Sequence, residues 1–150
     1  MPATDEKIIV ADNDSMMRGL VRSMLDRPGR TVLLCADGLE AVEVAAHTLA
    51  SLVLLDLKMP RMTGTEACRT IREMQRYADV PIVVMTVFDE DHRRREVLRE
   101  GATAFLAKPF SRDQLIRAIA PLLAPSFAPG GRSADRAAIR PAIRAASQGR

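Results

Sequence analysis

Through the first 124 residues, short aliphatic runs alternate with longer stretches in which apolar positions recur at helical spacing. The runs Ile8-Ile9-Val10-Ala11, Leu52-Val53-Leu54-Leu55, Ile82-Val83-Val84-Met85 and Ala104-Phe105-Leu106-Ala107 lack polar alternation. That is the pattern of strands buried on both faces of a parallel sheet. Strands are predicted over about residues 6–11, 31–35, 51–55, 80–85 and 103–107, with helices at about 15–26, 38–50, 65–76, 90–100 and 111–123. Met17, Leu20, Met24 and Leu25 are predicted to share one face of the first helix, and Leu115, Ile116, Ile119, Leu122 and Leu123 one face of the last. Pro28-Gly29 and Gly101 follow helices as stop signals should. Asp89-Glu90-Asp91 opens the fourth helix with the charge its macrodipole prefers. Five such β-α repeats predict an α/β fold, a doubly wound five-stranded parallel sheet with helices on both faces.

After Leu123 the pattern stops. Pro125 to Gly131 reads as a linker, so the chain divides into a domain over 1–124 and a basic, flexible Pro/Gly/Ala/Arg-rich tail over 125–150. The formal net charge of +3 divides in the same way. Residues 1–124 hold 17 Lys/Arg against 18 Asp/Glu, and the tail holds five Arg against one Asp. The basicity belongs to the tail, so no nucleic-acid-binding core is expected. No apolar stretch approaches the roughly 20 residues of a bilayer span, and the N-terminus lacks a secretory signal. Cys35 and Cys68 form no Cys-x-x-Cys pair and read as free thiols in a reducing compartment. A cytoplasmic protein without membrane association is expected.

The polar residues that end the strands carry the chemistry. Asp56 closes one apolar run, Asp12-Asn13-Asp14 another, Thr86 a third and Lys108-Pro109 a fourth. An open α/β sheet binds its ligands outside the carboxyl ends of its strands, where these groups converge if the strands are parallel neighbours. Asp12, Asp14 and Asp56 offer hard oxygen ligands for Mg²⁺, Lys108 a fixed positive charge and Thr86 a short donor. Together they describe a site that stabilises a phosphoryl group on Asp56. Blander readings compete. Asp56 as a helix cap is a poor fit because Met59-Pro60 delays the next helix. Phe105 fits core packing and a functional position equally well. Arg93-Arg94-Arg95 reads as a solvated helix face, His47 and His92 as surface residues, and Met16, Met17 and Met24 as core filling.

These motifs resemble the receiver domains of two-component response regulators, of the stand-alone, chemotaxis-regulator-like kind. The resemblance covers about residues 6–124. The family pattern Asp-x-x-Met-Pro-x-Met-x-Gly stands intact from Asp56 to Gly64, Ala36-Asp37-Gly38 resembles the second-strand exit, and Lys108-Pro109-Phe110 the Lys-Pro motif, read here as trans-like. The resemblance implies a flavodoxin-like strand order of 2-1-3-4-5 and a phosphoryl acceptor at Asp56, fed by a sensor histidine kinase, a histidine phosphotransfer protein or a small phosphodonor. Lys108 would pair with the phosphoryl oxygens, Thr86 would be the switch hydroxyl and Phe105 the switch aromatic. Asp12, Asn13, Asp56 and the Lys58 backbone carbonyl would hold Mg²⁺. Output would pass to a protein target on the face of helix 4, strand 5 and helix 5, which can also carry a homodimer. Such a protein is no enzyme beyond its own Mg²⁺-dependent phosphorylation and dephosphorylation.

One position departs from the family pattern. The second member of the acidic pair is Asn13, which removes one negative charge and predicts weaker metal binding, or a partner-binding form independent of phosphorylation. Asp14 could reach the metal through water or cap the first helix. Two other functions compete with this one. Asp12-x-Asp14 resembles the nucleophile motif of haloacid-dehalogenase-type phosphatases, but Met16 and the Thr86-Val87-Phe88 strand end do not fit it. A DNA-associated regulator using the basic tail is the remaining alternative.

Overall fold

The computed structural model describes residues 5–87 and 91–123. Strands and helices alternate as β1 (Glu6–Ala11), α1 (Ser15–Leu25), β2 (Arg30–Cys35), α2 (Gly38–His47), β3 (Leu52–Asp56), α3 (Gly64–Arg72), β4 (Ile82–Val87), α4 (Asp91–Arg99), β5 (Ala104–Lys108) and α5 (Arg112–Leu123). All strand pairs are parallel, in the order β2-β1-β3-β4-β5. The sheet is doubly wound, as the pattern of apolar runs predicts, and its order is the flavodoxin-like one that the family resemblance implies. Every predicted element is present, with ends shifted by up to four residues. The expected tail over 125–150 and the Asp89-Glu90 helix opening lie outside the described residues.

Alternate residues of each strand face opposite layers. Ile9, Val53, Leu55, Val84 and Phe105 pack with α2, α3 and α4 through Ala41, Ala45, Cys68, Ile71 and Val97. Ile8, Val10, Leu54, Met85 and Leu106 pack with α1 and α5 through Val21, Leu25, Leu115, Ala118 and Ile119. The central strand β3 is buried throughout, as its unbroken apolar run requires, whereas the edge strand β2 is only partly covered. No helix among the described residues is long and apolar enough to cross a membrane.

Two local expectations need correction. On α1 the inward stripe is Met17, Val21, Met24 and Leu25, while Leu20 is 52% and Met16 83% exposed. Position 20 lies about 100° around the helix from 21, and α1 touches the sheet along one narrow side only. The single helix expected over 65–76 is α3 followed by a 3₁₀ turn, Gln75–Tyr77. The side chain of Arg72 explains the break. Its Nη1 donates to the carbonyls of Tyr77 (2.6 Å) and Val80 (2.7 Å), and Nε and Nη2 donate to that of Gly101 (3.0 and 2.7 Å). One guanidinium thus joins the end of α3, the approach to β4 and the α4–β5 connection, and the chain must turn to bring those carbonyls to it.

Candidate functional site

Parallel register sets the site, because it carries the residues at the carboxyl ends of β1, β3, β4 and β5 to one edge. Asp56 pairs with Met85, and Thr86 with Ala107. Asp12 lies just past β1, its amide bonded to the Cys35 carbonyl at 3.1 Å. Its side chain is fully buried. One carboxylate oxygen accepts from the Asp14 amide (2.9 Å) and the other from Lys108 Nζ (2.8 Å). Lys108 Nζ also stands 3.3 Å from Asp56 Oδ1. A single ammonium therefore bridges two carboxylates in a largely desolvated edge, which leaves the trio with an excess negative charge.

The protonation preferences follow from that arrangement. Burial first, and the Asp12 charge second, raise the Asp56 carboxyl to about 6, against the opposing pull of Lys108 and a hydrogen bond from the Lys58 amide. Burial alone would lower Lys108, but its hydrogen bond to Asp12 and the charges of both carboxylates leave it raised. Two carboxylates forced together with one countercharge are a fit environment for a small hard cation. Among the described residues no cluster of three His, Cys, Asp or Glu side chains is positioned to hold a metal, so Asn13 and a backbone carbonyl would have to complete the set. Asp14 is committed elsewhere: its carboxylate caps α1, accepting from the amides of Met16 (3.0 Å) and Met17 (3.4 Å).

The remaining predicted residues are near the edge but not in the trio. Asn13 is exposed, beside Asp12. Thr86 is buried and its hydroxyl donates to the Val87 carbonyl at 3.2 Å. Phe105 is buried on the α2–α4 side of the sheet, with the Arg94 guanidinium 4.7 Å from its ring centroid. Arg94 is only 3% exposed, so the arginine triplet is not a solvated face. Its middle member faces inward on α4 while Arg95 stays exposed. The Lys108–Pro109 peptide is cis, not trans-like. Cys35 and Cys68 are buried thiols that desolvation pushes up to about 12 and about 11, which disfavours the thiolate near neutral pH. Sequence reasoning missed Arg18, which donates to the Asp12 carbonyl at 2.6 Å. Its position six residues after Asp12, one helical turn into α1, was the available signal.

A family model of the response regulator receiver domain matches residues 8–120. The chain belongs to the receiver-domain family. Response regulator MprA of Mycobacterium ulcerans is 38% identical over 117 residues, covering 78% of this chain and 50% of that protein. MprA of Mycobacterium leprae is 37% identical over the same span. The chain thus spans about half the length of the curated relatives it matches. Among solved structures, the chemotaxis response regulator CheY4 of Vibrio cholerae superposes with a TM-score of 0.75 at 30% identity, covering 80% of this chain and all of that one. The receiver domain of the sensor histidine kinase PA1611 of Pseudomonas aeruginosa, described with magnesium coordinated in its active-site cleft, gives 0.74 at 29% identity over 80% of this chain and 98% of that one. Receiver domains accept phosphorylation in two-component signalling and interact with histidine kinases and downstream targets, and this chain carries one.

Proposed function

We propose that Asp56 is the phosphoryl acceptor of this receiver domain. The observation that carries the reading is the Lys108 ammonium held between Asp12 and Asp56 at the carboxyl edge of the sheet. An Asp56 carboxylate oxygen attacks the phosphorus of a phosphohistidine, forming a P–O bond as the P–N bond breaks. The departing imidazole keeps the electron pair and takes up a proton. Lys108 follows the negative charge onto the phosphoryl oxygens, since it already lies within reach of Asp56. Thr86 can turn its hydroxyl from the Val87 carbonyl toward the new group. Asp12, Asn13, Asp56 and the Lys58 carbonyl would hold Mg²⁺, which when bound neutralises charge on the transferring oxygens. Catalysis is confined to the domain's own phosphorylation and dephosphorylation, in the cytoplasm.

The added charge, nearly two units, is read through Thr86 and through Phe105 beneath Arg94, at the face of α4, β5 and α5. That face binds a protein target, or the group passes on to a histidine phosphotransfer protein. Incubation with a histidine kinase or a small phosphodonor and Mg²⁺ should add the mass of one phosphoryl group, and Asp56→Asn should remove that shift completely. If the unmodified protein still binds a partner while no donor modifies Asp56, phosphorylation-independent interaction takes the place of this reading.

The missing acidic charge gives a second test. Asn13→Asp should tighten Mg²⁺ binding by about tenfold, since it adds a full charge beside Asp12. Calorimetric titration at pH 7.5 checks this, and an unchanged dissociation constant would dispose of the argument from charge.

A further inference from the structure

The connection from β3 to α3, residues 57–63, is fastened at its base and at its tip. At the base the Gly64 amide donates to the Leu57 carbonyl at 2.8 Å, and Leu57 and Met59 are buried. At the tip Arg61 adopts φ 66°, a left-handed conformation uncommon for a residue with a side chain. Its Nε donates to Asp37 Oδ2 at 2.7 Å. The other oxygen of Asp37 accepts from the Glu40 amide at 2.9 Å and so caps α2. Gly38 brings the two segments together, because a Cβ there would stand 2.4 Å from the Met62 carbonyl oxygen. Asp37 is 6% exposed as a residue, whereas the Arg61 side chain is 61% exposed. Neither residue reaches the Asp12–Lys108–Asp56 trio.

We propose that Arg61, acting through Asp37, is a positioning residue for the receiver chemistry. The pair holds the tip of the connection against α2 and thereby fixes Lys58, whose amide hydrogen-bonds Asp56 and whose carbonyl would complete the metal set. This rests on the phosphoacceptor reading above. An ion pair with one partner so exposed adds little to global stability. Its consequence is therefore local. If it only capped α2, asparagine at position 37 would replace it without effect, because Asn caps as well as Asp.

The test uses the full chain as wild type, Arg61→Gln, Arg61→Lys and Asp37→Asn. Mg²⁺ dissociation constants are measured by calorimetry without a phosphodonor, with phosphorylation rates by a small phosphodonor across a Mg²⁺ series and thermal midpoints without metal. Arg61→Gln and Asp37→Asn should each weaken Mg²⁺ binding by about tenfold, the scale on which residues supporting metal ligands act. Rates should recover at saturating Mg²⁺. Arg61→Lys should restore most of the affinity, the double variant should be no worse than either single one, and midpoints should stay within about 2 °C of wild type. Wild-type affinity in both single variants overturns the proposal, as does a loss of affinity that only tracks a fall in midpoint. A wild-type protein that neither binds Mg²⁺ nor accepts a phosphoryl group overturns the phosphoacceptor reading and this one with it.

Discussion

Arg72→Met is expected to lower the unfolding free energy by about 3 kcal/mol and the thermal midpoint by roughly 10 °C. Methionine fills similar volume but strips the carbonyls of Tyr77, Val80 and Gly101 of a charged donor that reaches all three segments. A hydrogen bond to a charged group contributes about 1.5–3 kcal/mol, and three or more are lost here. The estimate stays at the low end because Arg72 is half-buried, so water can reach part of the vacated cluster. Arg72→Lys should recover under half of the loss, since an ammonium cannot span the same fork. Urea denaturation of the three proteins decides the matter; a loss for Arg72→Met below about 1 kcal/mol would show that the cluster is not cooperative.

If Asp56 is the acceptor as proposed, Gly64→Ala should cut the rate of phosphorylation by about a hundredfold, while the fold survives with a loss of roughly 2–3 kcal/mol. An alanine Cβ would stand 2.1 Å from the Asp56 carbonyl oxygen and 2.8 Å from the Leu57 Cα. Both obstacles are backbone, so the end of β3 must move rather than a side chain. A shift of about an ångström at Asp56, the proposed acceptor, is enough for that loss of rate. Gly19→Ala provides the contrast. Nothing lies within 4 Å of its Cβ position in the middle of α1, and that change should stabilise by about 0.5–1 kcal/mol with unaltered phosphorylation. Equal rates for wild type and Gly64→Ala would contradict the close approach.

The sheet was legible because β3 and β4 are unbroken apolar runs, and burial on both faces leaves no polar position to confuse the period. Asp56 was legible for a related reason, since a carboxylate at the end of such a run has no packing role to explain it, whereas Lys108 alone reads as a solvated loop lysine and was legible only with its Lys-Pro context and the other motifs. The helices were less so. Leu20 satisfies a helical spacing with Met17 and Met24, yet Val21 faces the core, and only tertiary contact separates the two choices. Arg72 and Arg94 look like surface cations in sequence, and their roles depend on acceptors and a ring brought together by the fold. The Asp37–Arg61 pair spans 24 residues, beyond any local pattern. Nor does local pattern favour either role for Phe105; the fold buries it under Arg94.

Met16 and Leu20 stand out from α1 one turn apart, on the helix that begins just beyond Asp12. Since neither is committed to the core, changing either should alter stability by no more than about 0.5 kcal/mol. Asp12, Asp56 and Lys108 enjoy no such freedom, being pinned by strand register and a shared ammonium. Two kinds of position thus stand side by side in the chain, one free of core contacts and one fixed by them. Substitutions in the apolar skin beside the pocket can therefore alter whatever touches that skin while leaving the buried carboxylates in place.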